Sequence, residues 1–325
     1  MLFGEFLSLL VAMSWTVTAL FAEVGSKRMG SLPFNAIRMS MSILFLAMTL
    51  WLVMGVPYPL YADCSTWLWL LLSGVVGYVV GDYCLMQGYI IIGSRFGQLF
   101  MTLSAPTAAI QGRLFIGEQM RPLAIMGMAI TLSGIALSVL SKGKEAEGGV
   151  HFAISPRGIF YAAMAGICQG AGLVLSKIGL EHYDAALLAQ GVDGSTVPDG
   201  ALLPLPVSVS IPFASTMIRG IMGLVGFWLL LLLFSNNGAE QASKALRDRK
   251  AMLSALGSMF FGPFVGVSLS LMATQYTSTG IAQTLFALTP VLIIGPAAWL
   301  FHQKVTLREV VGAVISVCGA CLFFV

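Results

Sequence analysis

Charged side chains are scarce in this sequence. They make up only 10% of its 325 residues, whereas 58% of the residues are hydrophobic and the mean hydropathy is +0.90. An ordinary soluble domain has roughly 25% charged residues. The chain therefore has too little polar surface to coat a water-soluble globule, and its main solvent is expected to be lipid.

Histidine is also rare, and several enzyme motifs are missing. His151, His182 and His302 are isolated, and neither His-Glu-x-x-His, Gly-x-Ser-x-Gly nor a phosphate-binding Gly-Lys-Ser/Thr occurs. These absences argue against a zinc hydrolase, a serine hydrolase and an ATP-driven pump. Gly81-Asp82 is similar to the Gly-Asp of intramembrane aspartyl proteases, but their chemistry needs two carboxylates that share a proton, and the sequence offers one. No enzyme activity is predicted.

The net charge and the cysteines exclude further classes of protein. The net charge is only +3 and the basic residues are scattered, so no nucleic-acid partner is expected. Four of the five cysteines, Cys84, Cys168, Cys318 and Cys321, lie in apolar stretches, where thiols usually pack as small hydrophobes. The sequence predicts no disulfide framework, no metal site and no cofactor.

The first apolar run extends from Phe6 to Ala22 and could be mistaken for a signal peptide. It lacks a basic segment before it and carries Glu5 instead. We therefore expect it to be a retained first membrane span.

Ten apolar runs are long enough, at about 17 to 22 residues, to cross roughly 30 Å of hydrocarbon. The connections between most of them are too short to hold a soluble domain. The predicted spans are 5–23, 36–54, 67–88, 96–116, 122–140, 157–176, 217–234, 252–272, 280–301 and 307–325.

The spans form two copies of five. The sequence matches itself without gaps at an offset of 185, from Leu68/Leu253 to Leu137/Leu322. The earlier spans repeat too, since "AMSWTVTALFAEVGSK" is similar to "AMAGICQGAGLVLSK". An odd number of spans in each copy inverts the second copy, which is the plan of secondary transporters whose substrate site lies between the copies near mid-membrane. The most informative matches are Gly77/Gly262, Gly81/Gly266, Gln98/Gln283, Gly127/Gly312 and Gly134/Gly319.

The two glycine pairs are four residues apart within each copy, which favours close packing of helix backbones. The copies differ mainly in the linker after their first span, which is longer in the second copy. Pro204, Pro206 and Pro212 argue against a helix there, so an extramembrane loop is predicted. The predicted units are a first repeat at 1–141, a connecting loop at 142–156 and a second repeat at 157–325 with a loop insertion at about 181–212.

One long segment carries a resemblance to a known family. The stretch "LSAPTAAIQGRLFIGEQMRPLAIMGMAITLSGIALSVL" combines a span that contains proline, a turn at Gly117-Glu118 and a span with regularly spaced glycines. It resembles the EamA repeat of the drug/metabolite transporter superfamily, and Trp15, Arg38, Arg219 and Pro290 fit the same pattern. In the second copy His302-Gln303 replaces the Gly-Glu turn, so the acidic turn is lost there.

This resemblance implies an all-α integral membrane protein with ten transmembrane helices in two inverted repeats. It further implies a secondary active transporter that exports or exchanges small metabolites or drugs by alternating access across the cell inner (plasma) membrane, as a monomer or homodimer. The expected partners are a small-molecule substrate, the lipid bilayer and, as one option, a coupling proton. We expect a central cavity lined by spans one to four and six to nine. A membrane scaffold without transport activity is the alternative.

An ionised side chain at mid-membrane costs about 2.5 to 3.5 kcal/mol on insertion scales, so it normally faces a cavity or a partner. Polar and aromatic residues at such depths are therefore the candidates for substrate or ion binding. They are Asp82, Arg38, Arg219, Gln98, Gln283, Glu23, Lys27, Lys177, Tyr83 and Trp15.

Each candidate has a structural alternative. Asp82 either neutralises Arg38 or Lys27, or it binds a proton or an amine, and the second copy has Val267 in its place. Arg38 and Arg219 either reach the interface or bind a substrate carboxylate.

Two further pairs of polar candidates also have alternative roles. Gln98 and Gln283 either join helices or contact substrate. Glu23 and Lys27 are four residues apart, and they either form a boundary ion pair or line the cavity. The orientation is open as well, because the basic loops after spans five, seven and nine place both termini outside, whereas the family resemblance implies both termini inside.

Overall fold

Helix is the only regular secondary structure in the described part of the chain. The computed structural model describes residues 2–140, 155–198, 200–235, 237–294, 296 and 307–324. The α-helices are α1 Leu2–Met29, α2 Ser31–Met54, α3 Cys64–Gly74, α4 Tyr83–Met101, α5 Ser104–Gln111, α6 Pro122–Leu140, α7 Pro156–Ala189, α8 Val207–Phe234, α9 Gly238–Arg247, α10 Arg249–Met259, α11 Val267–Tyr276, α12 Thr279–Phe286, α13 Thr289–Leu292 and α14 Leu307–Cys321.

Several of these helices are apolar enough to lie in a membrane. Six helical segments have the length and hydropathy of a membrane span, and three shorter helices are also apolar. This confirms an all-helical chain with multiple apolar helices, while the count of ten spans stays a prediction. The six long segments are Leu2–Met29, Ser31–Met54, Cys64–Ser94, Pro156–Ala189, Val207–Leu233 and Arg249–Tyr276, and the three shorter ones are Pro122–Leu137, Thr279–Leu292 and Val310–Cys321.

Matching π-helical stretches interrupt the third span of each repeat. Val75–Asp82 joins α3 to α4, and Phe260–Gly266 joins α10 to α11 at positions 185 residues later. In the second stretch Pro263 has no N–H to donate, which disturbs the regular helix. Such stretches are frequent at functional sites, and both of these contribute to the cavity described below.

The two repeats pack against each other through their small residues. A Cβ atom on Gly172 of α7 would lie 3.1 Å from the Cα of Gly77, and one on Gly266 would lie 2.7 Å from Trp15 Nε1. The third span of each repeat therefore packs closely on the first span of the other. The main hydrophobic core is shared in the same way, since it includes Leu46 and Leu70 as well as Ile218.

The chain turns at Gly93, within the segment that joins the third and fourth predicted spans. Gly93 has φ of 80° and ψ of 162°, values that favour glycine. Ser94 therefore begins a new helical segment, and its backbone N–H faces the end of the bundle.

The predicted loop insertion at about 181–212 is wrong at both ends. Helix α7 continues to Ala189, held by buried Tyr183, whose hydroxyl donates a hydrogen bond to Leu60 O. Helix α8 begins at Val207 and contains Pro212 in its second turn. A missing N–H so near the start is tolerated because the rest of α8 packs along α2.

Parts of three other predictions lie outside the described residues. The predicted connecting loop at 142–156 falls mostly in residues 141–154, although α7 already begins at Pro156. The end of the ninth predicted span and the turn at His302-Gln303 fall in residues 297–306, which are likewise outside the described part.

Candidate functional site

A cavity lies between the two repeats, halfway along α1. Its volume is about 50 Å³, which is enough for a few water molecules in this conformation. Its lining comes from predicted spans one, two, three, four, six and eight; among the described residues, spans seven and nine contribute none, contrary to the expectation. The lining residues are Trp15, Thr18, Arg38, Tyr78, Asp82, Leu85, Met86, Tyr89, Gln98, Met101, Gln169, Gly262, Pro263 and Val267.

A buried ion pair forms the polar centre of this cavity. Arg38 Nη2 donates a hydrogen bond to Asp82 Oδ2, and the two residues are only 2% and 6% exposed. Gln169 of the second repeat donates its amide Nε2 to Asp82 Oδ1 at 2.9 Å and to Gly77 O at 3.2 Å. Both carboxylate oxygens of Asp82 are thus held, one by each repeat.

Arg219 lies behind the cavity wall without a carboxylate of its own. Its guanidinium carbon is 5.1 Å from the centre of the Tyr78 ring, and a Cβ on Gly77 would lie 2.9 Å from its Nη2. Arg219 is 4% exposed and its Nε has no hydrogen-bond partner. Among the described residues it forms no ion pair, so its charge is balanced by none of the groups that touch it.

The two glutamines occupy different environments. Gln98 lines the cavity and donates a hydrogen bond to the Tyr89 hydroxyl. Gln283 lies behind it, where it accepts a hydrogen bond from Ser104 Oγ at 3.0 Å and donates one to Gln169 O at 3.4 Å. Gln283 therefore joins the repeats and supports Gln169, whereas Gln98 faces the cavity space.

A first polar cluster lies at the C-terminal end of α1. Glu23 contacts Lys27 Nζ at 2.5 Å and accepts a hydrogen bond from the backbone N–H of Ser94 at 3.0 Å. The carboxylate thus satisfies an N–H at the start of a helical segment, where the helix dipole favours a negative charge. We call these three residues the Glu23 cluster.

A second cluster lies at the N-terminal end of α1. Glu118 contacts Lys177 Nζ at 2.6 Å, and it accepts hydrogen bonds from the backbone N–H of Thr279 at 3.0 Å and from Thr279 Oγ1 at 2.6 Å. Lys177 also donates to Thr277 O at 3.4 Å, and Thr277 Oγ1 donates to buried Glu5 at 3.2 Å. We call Glu118, Lys177, Thr277 and Thr279 the Glu118 cluster.

The two clusters lie at opposite ends of the bundle and occupy related positions in the repeats. Glu5 and Glu23 are 18 residues apart on α1, which separates the clusters by about 27 Å at 1.5 Å per residue. Ser94 and Thr279 are 185 residues apart in the sequence, the offset of the repeat. The cavity residues Trp15 and Thr18 fall between the clusters.

The structure therefore divides the ten predicted site residues into groups. Asp82, Arg38, Gln98 and Trp15 line the cavity, and Arg219 and Gln283 lie directly behind it. The lysines and Glu23 lie in the end clusters, and Lys27 pairs with Glu23 and not with Asp82. Tyr83 is not among the lining residues, since its ring lies 6.2 Å from that of Tyr161.

Sequence reasoning missed Gln169 and Thr18 as cavity residues. The signal was present, because aligning the first residues of the quoted "AMSWTVTAL" and "AMAGICQGA" pairs Thr18 with Gln169. Both are polar residues at matched places in apolar spans, and both line the cavity. Within the described ranges, no group of three or more His, Cys, Asp or Glu side chains could hold a metal ion.

Comparisons with known proteins identify the family of this chain. The model of the EamA-like transporter family matches residues 2–140 and 204–325. The uncharacterized transporter YetK of Bacillus subtilis (strain 168) is 30% identical over 149 residues, which is 46% of this chain and 42% of YetK. The chain thus matches less than half of that relative's length. A solved crystal structure superposes on 98% of this chain and 96% of its own, with a TM-score of 0.65 at 13% identity, and this likeness shows the fold alone.

The family match covers most of both repeats, and the apolar helices agree with it. The chain therefore belongs to the EamA-like transporter family of the drug/metabolite transporter superfamily, and its several apolar helices are those of a multi-pass membrane protein.

Proposed function

We propose that the protein is a secondary active transporter that moves a small metabolite or drug across the inner membrane by alternating access. The observation that carries this proposal is the buried Arg38–Asp82 pair in a cavity between the two repeats. Buried charges in a membrane protein are costly, and they mark substrate or ion pathways. In this proposal the chain has ten spans in two inverted repeats, and it exports or exchanges its substrate.

The chemistry of Asp82 suits coupling to a proton. As a carboxylate it holds Arg38 and accepts a hydrogen bond from Gln169. Protonation of Asp82 removes the negative charge that holds Arg38, so proton binding and release of Arg38 are linked. A proton gradient can then bias which face of the cavity binds substrate.

The two end clusters suit alternate closure of the cavity. The side chains of Lys177 and Glu118 are 18% and 11% exposed, whereas those of Lys27 and Glu23 are 47% and 27% exposed. In this proposal the contacts of the more exposed Glu23 cluster, which are formed in this structure, break when the cavity opens at that end, and those of the Glu118 cluster break in the opposite state. Each cluster would release the start of one helical segment, at Ser94 or at Thr279, when its end opens.

A flux assay tests the proposed function. Proteoliposomes are loaded with amino acids, nucleosides and cationic drugs, a pH gradient is imposed, and compounds that leave are measured by mass spectrometry. We expect at least one compound to leave faster than from protein-free liposomes. No such compound from any loaded class would contradict transport and favour the scaffold function.

Two matched variants test the coupling role of Asp82 in the same assay. Asp82→Asn should abolish flux or its dependence on the pH gradient, while the exposed loop variant Asp193→Asn should behave as wild type. Unchanged flux with unchanged pH dependence in Asp82→Asn would remove Asp82 from coupling and leave transport itself intact.

A further inference from the structure

We infer that the substrate of this cavity is a small organic monoanion with an apolar body. This inference rests on the proposed transport function, and it concerns the same cavity. It comes from the balance of charges around the cavity, the unpartnered polar groups in its wall and the apolar character of the rest of the lining.

The buried groups around the cavity carry one surplus positive charge. Among the described side chains around the cavity, Arg38 and Arg219 supply two guanidinium groups and Asp82 supplies one carboxylate. The other charged side chains that the structure describes lie towards helix ends or in loops, where several form ion pairs of their own. The region therefore lacks one negative charge, and in a medium of low dielectric a buried charge without a partner is strongly unfavourable.

The position of Arg219 directs this surplus charge at the cavity. Its guanidinium faces the ring of Tyr78, and Tyr78 is itself a cavity residue. An interaction between charges is much stronger in a protein interior than in water. Arg219 therefore favours an anion in the cavity and disfavours a cation, without a need to touch either one.

Donor groups are available in the cavity wall for an anionic group. Among the described residues, Arg38 Nε and the Tyr78 hydroxyl find no hydrogen-bond partner; both atoms are buried in the cavity wall, in residues that line the cavity. The Tyr89 hydroxyl accepts a hydrogen bond from Gln98, which leaves its own hydrogen available. These groups can satisfy carboxylate or other oxyanion oxygens, and buried donors are seldom left unpaired.

The rest of the lining determines the body of the substrate. Trp15, Met86, Met101 and Pro263 present aromatic and aliphatic surfaces, and the thioethers of the two methionines adapt to irregular shapes. An apolar or aromatic body suits these surfaces once the cavity, which is about 50 Å³ in this conformation, widens to admit it. The oxyanion then lies towards Arg38 and Tyr78, and the body lies towards Trp15.

Two sets of compounds with identical bodies and different charges test the inference. The aromatic set is 3-phenylpropionate, 3-phenylpropanamide and 3-phenylpropylamine, and the aliphatic set is hexanoate, hexanamide and hexylamine. Binding to the purified full-length protein is measured by thermal shift and by titration. We expect an anion in at least one set to bind more tightly than its amide and its amine by about tenfold or more, as suits an unscreened buried charge.

Arg219 variants identify the source of the preference. Arg219→Gln removes the surplus charge and should reduce the preference for anion over amide to about threefold or less, whereas Arg219→Lys should retain it. The comparison of charges in the wild type stands even where a variant fails to fold. Tighter binding of an amine or an amide, no binding of either anion, or an unchanged preference in folded Arg219→Gln would overturn the inference.

The outcomes separate this inference from the proposed function. If amines or neutral compounds cross the membrane and anions are not preferred, the protein is a transporter but its substrate is not an anion. If anions bind selectively but no compound crosses the membrane, the anion site is supported and the transport function is contradicted.

Discussion

The two ends of α1 carry the same kind of contact, built from different residues. At one end Glu23 of α1 itself contacts the N–H of Ser94; at the other, Glu118 of the turn before α6 contacts the N–H of Thr279. A lysine from the end of the first span in each repeat, Lys27 or Lys177, completes each cluster. The repeat has kept the lysine and the helix start, while the carboxylate has changed its place in the sequence.

The difference in burial shows which end is held more firmly. Glu118 joins three elements, because it lies in the turn before α6 and contacts Lys177 of α7 and Thr279 of α12. Glu23 and Lys27 lie on one helix and are more exposed, so only the bond to Ser94 crosses between helices. The Glu118 cluster is therefore the stronger link in this conformation.

Removal of Glu118 should have the largest effect on stability. Glu118→Ala leaves Lys177 without its carboxylate and frees the Thr279 N–H, so we expect a loss of about 3 kcal/mol in the free energy of unfolding. Unfolding of the purified protein in detergent measures the change. A loss no larger than that of the Glu23 variant would contradict the difference drawn between the two ends.

Removal of Glu23 should have a smaller effect. Glu23→Ala breaks a partly exposed ion pair and one contact to a helix start, which together are worth about 1 kcal/mol. The same unfolding measurement in low and high salt checks this value. The ion-pair part should weaken in salt because Lys27 is about half exposed, and a salt-independent loss above that of Glu118→Ala would reverse the comparison.

The smallest effect on stability is expected at Asp63, which forms a matched pair with Asp248 at the starts of the third spans of the two repeats. Asp63 accepts hydrogen bonds from Thr66 Oγ1 at 2.5 Å and Thr66 N at 2.8 Å, and Asp248, 185 residues later, caps α10 in the same way. Asp63→Ala should cost about 0.5 to 1 kcal/mol as an N-cap loss. Glu181→Ala, at an exposed glutamate near the end of α7, serves as the control.

The pH dependence of this cap has a definite sign. The hydrogen bonds from Thr66, first from its hydroxyl and then from its N–H, hold the pKa of Asp63 below its usual value of 3.8. Because the folded pKa is the lower one, the stabilisation is full above that usual value and is lost as the pH falls through the folded pKa. Asp63→Ala should lose stability at neutral pH and match the wild type at low pH, and an equal loss at both would contradict the cap.

Much of the fold could be predicted from the sequence, because apolar length and a repeat are strong signals. The offset of 185 also relates Asp63 to Asp248 and Ser94 to Thr279, pairs that lie outside or between the apolar matches and were not used. The predicted loop at 181–212 begins too early because Glu181 and Asp184 lower the hydropathy without ending α7, and it ends too late because Pro212 lies inside α8. A proline near the start of a long packed helix does not break it.

The candidate site was predictable only in part. The rarity of charge inside apolar runs drew attention to Asp82 and Arg38, and the structure brings these two together. Whether Lys27 or Arg38 met Asp82 depended on helix packing, which no single sequence shows. A glutamate at a helix boundary, such as Glu118, is usually a capping or ion-pair residue, but its partners Lys177 and Thr279 are 59 and 161 residues away and cannot be identified from the sequence.

A reversible cross-link can test whether one end of the cavity closes at a time. A Cβ on Gly280 of α12 would lie 3.0 Å from the Cβ of Ala109 of α5, near the Glu118 cluster. The two Cβ atoms of a disulfide lie about 3.5 to 4.5 Å apart, so Ala109→Cys/Gly280→Cys, made with the five native cysteines replaced by serine, should form a disulfide once α5 and α12 shift apart by about 0.5 Å. In loaded proteoliposomes we predict that oxidation reduces flux to the protein-free level and that reduction restores it, while each single-cysteine variant has the same flux before and after oxidation. Full flux through the oxidised, cross-linked protein would contradict alternating access at this end.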